Sequence, residues 1–233
     1  MISLNIKNKK AIVLLSGGMD SLLLMAHVQN LGIEIYPIHF SYGQNTQRNE
    51  KKSFKDICRF YKIKKENQKL MDIPFLKEIG GSGLTDKKLI LSTTGENLAK
   101  NIVPNSYVPF RNSLFLAIAT AWAETIEAAE IYIGAVEEDS PGYPDCRPAY
   151  YNAFNNLIKK GTNSKNPIKV ITPLIKLNKI KIIEKLIQLQ APIKLSWSCY
   201  KSEKIACGLC DSCRLRLRAF KRANKIDPIP YKK

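Results

Sequence analysis

Residues 11–21 read AIVLLSGGMDS, and this stretch decides the fold. An apolar run at 11–15 is followed by two glycines and then by a second apolar run at 22–28, a pattern that predicts strand, turn and helix. Gly17 and Gly18 lack Cβ atoms, so their N–H groups can approach an anion at the positive end of the helix dipole. The stretch therefore predicts a phosphate-binding loop.

Polar side chains in the loop suit the same ligand. Ser16 and Ser21 carry hydroxyl groups that can donate to phosphate oxygens, and Asp20 offers a helix cap or an oxygen ligand for Mg²⁺. The spacing matches neither G-x-x-x-x-G-K-[ST] nor G-x-G-x-x-G, which excludes those two nucleotide-binding classes. A serine-capped glycine turn without a ligand is the simpler alternative. The predicted nucleotide-binding segment also contains Leu15, Gly17, Gly18, Met19 and Leu22.

Apolar and amphipathic segments alternate along the rest of the chain, which predicts an α/β fold with a parallel sheet. The predicted strands are 33–40, 68–73 and 131–135, and the predicted helices are 45–61, 111–129, 149–160 and 178–190. A polar stretch at 79–107 is predicted to be a long, mobile insertion with one short helix, and the tail at 226–233 to fray unless it docks. We predict an ATP-binding α/β domain at 1–195 and a smaller segment at 196–233.

Composition narrows the function without deciding it. Lys and Arg outnumber Asp and Glu by 37 to 20, and the formal charge of +17 can attract nucleic acid or anionic nucleotides. Because the lysines are scattered without an aromatic stripe, a solvated basic surface explains the charge at least as well. No apolar run approaches the ~20 residues of a membrane span, and the first ten residues lack the pattern of a secretion signal, so we expect a cytoplasmic protein.

Four of the six cysteines have the spacing C-x7-C-x2-C-x2-C near the C-terminal end. Cys-x2-Cys turns place two thiolates on one side of a tight loop, and four such ligands favour a structural, tetrahedral zinc site. An iron–sulfur cluster is the main alternative, although no proline follows the last cysteine as in ferredoxins, and four unligated thiols are another. Arg214, Arg216 and Arg218 are candidates to offset the cluster's charge or to meet phosphates. The predicted metal ligands are Cys199, Cys207, Cys210 and Cys213.

SGGMDS resembles the S-G-G-x-D-S signature of PP-loop ATP pyrophosphatases, which cleave ATP between the α and β phosphates to adenylate a substrate. More specific segments resemble the 7-cyano-7-deazaguanine synthase family within that superfamily. They are YGQ at 42–44, VPFRN at 108–112, GYPDCRP at 142–148, SCY at 198–200 and CGLCDSC at 207–213. The chain departs from the family pattern at Ser41, where Asp is common, and at Asn45 and Thr46, where Arg and His are common.

The resemblance implies an adenine nucleotide alpha hydrolase-like domain, in which helices flank a parallel sheet, with a helical C-terminal zinc-binding segment. It implies a carbon–nitrogen ligase that uses ATP and Mg²⁺ to convert 7-carboxy-7-deazaguanine and ammonia into 7-cyano-7-deazaguanine (preQ0) in queuosine biosynthesis. The implied route passes through an adenylated carboxylate and an amide. One structural Zn²⁺ per chain, a homodimer and no stable nucleic-acid partner are also implied.

The same resemblance assigns roles to single residues. The implied catalytic residues are Asp20, Arg111 and Arg147, and the implied substrate contacts are Tyr42, Gln44, Arg111, Tyr143, Asp145 and Arg147. Taken alone, Arg111 fits a surface arginine at a helix start, and Asp145 fits a turn aspartate. Cys146 is not expected to be a nucleophile, because the chain has only His27 and His39 and both lie in apolar stretches.

Two rival functions fit part of the sequence. A PP-loop enzyme that modifies tRNA directly would suit the basic charge, but no RNA-binding extension is recognisable. A non-catalytic, zinc-bearing nucleic-acid-binding module would bind tRNA in a salt-dependent way without turning over ATP.

Overall fold

The sheet is parallel and its strand order locates the site. A computed structural model describes residues 9–86, 88–89, 91, 103–136, 143–163 and 167–232. Within these ranges the strands are β1 (Lys10–Leu14), β2 (Glu34–Ser41), β3 (Lys69–Asp72), β4 (Glu130–Tyr132) and β5 (Lys169–Ile171), in the order β3-β2-β1-β4-β5. The winding direction reverses between β1 and β4, and open α/β sheets bind ligands at the carboxyl ends of the strands at such a point.

The helices cover both faces of this sheet. They are α1 (Met19–Asn30), α2 (Gln47–Phe60), α3 (Phe75–Ile79), α4 (Arg111–Ile126), α5 (Pro148–Gly161), α6 (Lys179–Gln188) and α7 (Asp211–Arg222). The predicted fold class is confirmed, with element ends shifted by up to three residues. The sequence missed β5, because three residues are too short to show a strand periodicity. Much of the insertion predicted at 79–107 lies outside the described residues.

The core consists of two apolar layers, one on each face of the sheet. Side chains of β1 alternate between them: Ile12 and Leu14 pack with α4 and α5, whereas Ala11 and Val13 pack with α1, α2 and α6. Burying each large aliphatic side chain stabilises the fold by roughly 1.5–3 kcal/mol. The carboxyl end of β1, where the phosphate loop starts, is therefore firmly fixed. No described helix has the length and apolarity needed to cross a membrane.

The C-terminal segment has a small core of its own and a docked tail. Trp197, Ile229 and three of the cysteines are buried together. Ala206 pairs with Tyr231 as an isolated parallel bridge, in which Lys232 N–H donates to the Ala206 carbonyl over 2.8 Å. Fraying was predicted only for an undocked tail, and the tail docks through buried Ile229 and through Asp227, which accepts from Arg216. Ile226 remains 94% exposed.

Candidate active site

A cavity of about 310 Å³ opens at the carboxyl ends of β1, β2 and β4. Its wall combines the phosphate loop, the turn after β2, the first turn of α4 and residues 197–200, which lead into the cysteine cluster. Six residues of the predicted nucleotide-binding segment line it: Leu15, Ser16, Gly18, Met19, Asp20 and Ser21. Gly17 and Leu22 do not line the cavity. Gly17 faces α2, and Leu22 is buried in the core.

Gly17 fixes how the phosphate loop sits against α2. Its φ of +91° lies in the left-handed region, and a Cβ there would come within 2.8 Å of Ser53 Cβ and 3.0 Å of the Glu50 carbonyl oxygen. The Gly17 carbonyl accepts from Trp197 N–H over 2.8 Å, which ties the loop to the C-terminal segment. Only glycine fits this position without moving α2.

The two serines of the loop order its N–H groups. Ser21 Oγ accepts from Gly17 N–H over 3.1 Å, and Ser16 Oγ accepts from Gly18 N–H over 3.2 Å. The two hydroxyl oxygens lie 3.0 Å apart. Ser21 Oγ also donates to the Gly18 carbonyl over 3.0 Å, so these donors are bonded within the loop. A phosphate at the N-terminus of α1 would take the N–H groups over from the serine oxygens.

Lys179 brings a positive charge to this loop. Its Nζ lies 2.7 Å from both carboxylate oxygens of Asp20, and the pair is partly exposed to the cavity. Lys179 begins α6, and Asn178 caps that helix by accepting from Lys181 N–H over 2.9 Å. Sequence reasoning missed Lys179, because the pattern of α6 shows a helix but not which loop its first residue meets.

Arg111 is the cationic group of the opposite wall. It starts α4 directly after Phe110, whose φ of +56° turns the chain sharply before the helix begins. Arg111 Nη1 donates to the Tyr42 hydroxyl over 2.8 Å, and the guanidinium carbon lies 5.3 Å and 5.6 Å from the ring centres of Tyr42 and Phe115. Burial raises the pKa of Tyr42 to about 12, so its phenol stays neutral. Arg111 therefore sits in the cavity wall and not on an open surface.

Four of the six predicted substrate contacts line the cavity: Tyr42, Gln44, Arg111 and Tyr143. The Tyr143 hydroxyl lies 2.7 Å from Ser106 Oγ. The amide of Gln44 is engaged within the protein. Its Oε1 accepts from Tyr42 N–H over 2.8 Å, and its Nε2 donates to the Phe40 carbonyl over 3.3 Å and to Glu50 over 2.9 Å.

Asp145 and Arg147 are not brought to the described cavity. Asp145 is buried, and its carboxylate accepts from Asn112 N–H over 3.2 Å at the start of α4. Burial raises the pKa of Asp145, while the charge of Arg111 opposes the shift. The Arg147 side chain is exposed. Gly142, which belongs to the same sequence motif, lies outside the described residues.

No Cys–His pair forms among the described residues. Cys146 is buried in the cavity wall, with Asn112 Nδ2 3.7 Å from its sulfur. His39 is buried beneath the phosphate loop, as predicted, and its Nδ1 lies 3.1 Å from the Leu15 carbonyl oxygen. His27 is only partly buried on α1.

Several wall residues had no role in the sequence interpretation. Ser198 and Tyr200 stood in a quoted motif without a function, and Trp197 precedes them. Glu50 lies in the helix predicted at 45–61, and the sequence pattern does not distinguish it from other acidic residues on an amphipathic helix. By contrast, Arg216 was predicted to offset the charge of the cysteine cluster or to meet phosphates; it lines the cavity but is 1% exposed and bonded within the protein. Its Nε and Nη2 donate to the Asp227 carboxylate over 2.7 and 2.9 Å, and its Nη1 donates to Ser196 and Ser198.

The four predicted metal ligands come together. The sulfur atoms of Cys199, Cys207, Cys210 and Cys213 all lie within 4.8 Å of one another. Tetrahedral zinc with bonds of about 2.3 Å sets its sulfurs about 3.8 Å apart, close to the 4.0 Å between Cys207 and Cys213. Backbone N–H groups of Cys207 and Lys201 donate to Cys199 sulfur over 3.4 Å each. This set of donors fits a metal bound by four thiolates.

Comparisons with known proteins agree with this geometry. The family model for "Queuosine biosynthesis protein QueC" matches residues 10–224. The 7-cyano-7-deazaguanine synthase of Chlorobium chlorochromatii is 53% identical over 95% of this chain and 96% of that protein. The enzyme of the same name from Campylobacter concisus is 48% identical over 97% of this chain and 100% of that protein.

Two solved structures share the fold at low identity. The U34-tRNA thiolase NcsA from Methanococcus maripaludis, which has a [4Fe-4S] cluster, aligns with a TM-score of 0.52, at 17% identity over 94% of this chain and 67% of that one. NMN synthetase from Francisella tularensis aligns with a TM-score of 0.50, at 13% identity over 96% and 81%. At such identities the likeness concerns the fold alone.

Proposed function

Because the chain belongs to the queuosine biosynthesis protein QueC family, we propose that it is a 7-cyano-7-deazaguanine synthase, which converts 7-carboxy-7-deazaguanine, ammonia and ATP into the nitrile. The observation that carries the proposal is one cavity that joins the SGGMDS loop to the Arg111–Tyr42 wall. The loop suits the phosphates of ATP, and the cation opposite suits a carboxylate. The two reactants would therefore meet within one cavity.

The first step is attack of the substrate carboxylate on the α-phosphorus of ATP. A carboxylate resists ammonia because its leaving group is poor, and the resulting acyl-adenylate supplies a good one. Gly18 N–H, Ser16 and Ser21 would hold the departing pyrophosphate, and Lys179 would add positive charge beside it. Arg111 would orient the carboxylate or the α-phosphate with its planar fork.

Ammonia then attacks the acyl-adenylate, and AMP leaves to give the amide. A second ATP activates the amide oxygen, and loss of AMP with a proton yields the nitrile. Asp20 is the residue of the loop that would hold Mg²⁺, which neutralises phosphate charge when bound. The remaining proposed substrate contacts are Tyr42, Gln44, Tyr143, Asp145 and Arg147, of which the last two do not line the described cavity.

The cysteine cluster is proposed to hold one structural Zn²⁺. All four positions would be filled by the protein, which leaves no site for a substrate on the metal. The segment at 196–233 would then act as a metal-stabilised cap on the α/β domain at 1–195. We further propose a cytoplasmic homodimer that acts on the free base without a stable nucleic-acid partner.

The test is to incubate the purified chain with ATP, Mg²⁺, ammonium and 7-carboxy-7-deazaguanine, and to follow nucleotides and bases by mass spectrometry. The nitrile and AMP are expected together. ATP turnover that requires tRNA would instead favour an enzyme that modifies tRNA directly, and salt-dependent tRNA binding without turnover would favour a binding module. Iron in place of zinc on metal analysis of anaerobically purified protein would replace the zinc proposal with an iron–sulfur cluster.

A further inference from the structure

Two carboxylates line the described cavity, and they are held in different ways. Asp20 is paired with the Lys179 ammonium group. Glu50, on the first turn of α2, is held by neutral donors: Thr46 Oγ1 donates to Oε1 and Gln44 Nε2 donates to Oε2, both over 2.9 Å. Each oxygen accepts one of these bonds and retains capacity for another. Glu50 is therefore a fixed carboxylate with acceptor positions still available.

The position of Glu50 is set from two sides. Gln44 cannot swing away, because its amide also bonds to the backbone of Tyr42 and Phe40. The Glu50 backbone carbonyl borders Gly17, so the same residue adjoins the phosphate loop. Glu50 lines the same cavity as the phosphate loop and Arg111, and the charge of Arg111 acts on its carboxylate. A nucleophile that attacks an acyl-adenylate in this cavity would approach within reach of this carboxylate.

We propose that Glu50 binds the ammonium ion and serves as the base that releases ammonia for attack, a role that rests on the proposed function. A cation that donates four N–H bonds complements a carboxylate with free acceptor positions. When the N–H proton passes to Glu50, the nitrogen lone pair forms the C–N bond and the C=O electrons move to oxygen. Collapse of this adduct expels AMP, and the nitrogen loses a second proton to the departing phosphate, which leaves the neutral amide.

The same carboxylate can serve the second activation. When the amide oxygen attacks the second ATP, pyrophosphate leaves and the nitrogen loses one of its two protons to solvent. Glu50 then takes the remaining N–H proton, the freed electron pair completes the C≡N bond, and the C–O bond to AMP breaks. Glu50 must release its first proton between the two steps. Gln44 and Thr46 are positioning residues in this scheme, because they act on the substrate only through Glu50.

Electrostatics around Glu50 favour a base. Burial raises its pKa, while the hydrogen bonds from Gln44 and Thr46 and the charge of Arg111 oppose the rise. The other titratable groups that act on it are Tyr42, whose phenol stays neutral, and Glu203, which adds to the rise. A carboxylate with a raised pKa holds a proton better near neutral pH than an exposed glutamate does.

Glu50→Gln separates this role from a structural one when two activities are measured. The first is ATP–pyrophosphate exchange dependent on 7-carboxy-7-deazaguanine without ammonium, which reports adenylation. The second is amide formation at a series of ammonium concentrations and pH values. The expected exchange rate stays within about threefold of wild type, whereas amide formation falls by ~10²–10³. In the variant alone, the rate should rise about tenfold per pH unit as free ammonia replaces ammonium.

Controls make each result decisive. Glu203→Gln removes a neighbouring carboxylate that does not line the cavity, and it should leave both activities within about threefold. If Glu50→Gln fails to fold, Glu50→Asp replaces it, with an expected rise of about tenfold in the KM for ammonium and unchanged exchange. Equal losses of exchange and amide formation, or a wild-type pH profile in Glu50→Gln, overturn the role. Absence of exchange in the wild-type chain would instead reject the proposed function itself.

Discussion

The phosphate loop and the wall opposite it are built in different ways. The loop is one continuous segment between β1 and α1, and its geometry follows from Gly17 and two serines. The wall collects Tyr42, Arg111, Tyr143 and Tyr200 from four separate segments of the chain. A substitution in the loop therefore changes the phosphate site directly. The geometry of the wall depends on the contacts that hold its four segments together.

The cysteine cluster is the clearest example of such a dependence. Ser198 and Tyr200 line the cavity, and Cys199 between them is one of the four proposed metal ligands. Trp197 in turn donates its backbone N–H to the Gly17 carbonyl. The metal proposed for this position would order one side of the active site as well as the C-terminal segment.

Cys210→Ser should have the largest effect, because it removes a ligand on which this wall depends. We expect loss of the bound metal and a fall of ~10²-fold or more in carboxylate-dependent pyrophosphate exchange, since small misplacements of site residues cost that much. Metal analysis and exchange assays measure the two losses. Cys58→Ser is the matched control, because Cys58 is buried in the core away from the cluster. If Cys210→Ser kept full exchange, the wall would not depend on the metal.

The two predicted arginines give the next largest contrast. Arg111→Gln removes the cation of the wall and should lower kcat/KM by ~10²–10³, about 3–4 kcal/mol of transition-state stabilisation. Arg147→Gln should change it by less than about threefold, because the Arg147 side chain is exposed and outside the described cavity. Steady-state kinetics with matched melting curves measure both. A comparable loss in Arg147→Gln would restore the role predicted from sequence.

Gly17→Ala tests the loop itself. The substitution adds strain at φ +91° and a contact of 2.8 Å with Ser53 Cβ, so we expect a loss of about 3 kcal/mol in unfolding free energy together with weaker ATP binding. Gly32→Ala is the control, because Gly32 also has a positive φ (+70°) but no atom within 4 Å of the added Cβ. It should cost about 1 kcal/mol and leave ATP binding unchanged. If both substitutions weakened ATP binding equally, backbone strain alone would explain the effect of Gly17→Ala, without the contact with Ser53.

The same contrast explains what the sequence could predict. The loop and the cysteine cluster are short, local patterns, and the structure brings their residues together as the spacing predicted. Arg111 and Tyr42 were found through family motifs and not through any local physical signal. Lys179 and Glu50 were missed, and the ion pair of Arg216 with Asp227 was not foreseen, because these contacts arise from packing between α6, α2, α7 and distant loops. Asp145 is the opposite case, because the family motif predicted a substrate contact. Its carboxylate instead accepts a hydrogen bond from Asn112 N–H at the start of α4.

His39 links the stability of the fold beneath the phosphate loop to pH. Since a carbonyl only accepts, the contact with Leu15 requires the proton on Nδ1 of a neutral ring. Burial lowers the pKa of His39 to about 4, against about 6.5 in an unfolded chain. Between these values the unfolded state binds the proton and the folded state does not, so stability falls as pH falls, by about 1.4 kcal/mol per unit.

Urea unfolding of the wild-type chain and of His39→Asn from pH 7 to pH 4 isolates this contribution. Asparagine keeps a donor for the Leu15 carbonyl but does not titrate. We expect the two unfolding free energies to converge as pH falls through the window, because only the wild-type unfolded state gains a proton there. Parallel curves would mean that His39 is protonated in the folded chain, and that the base of the phosphate loop is more open to water than its 1% exposure indicates.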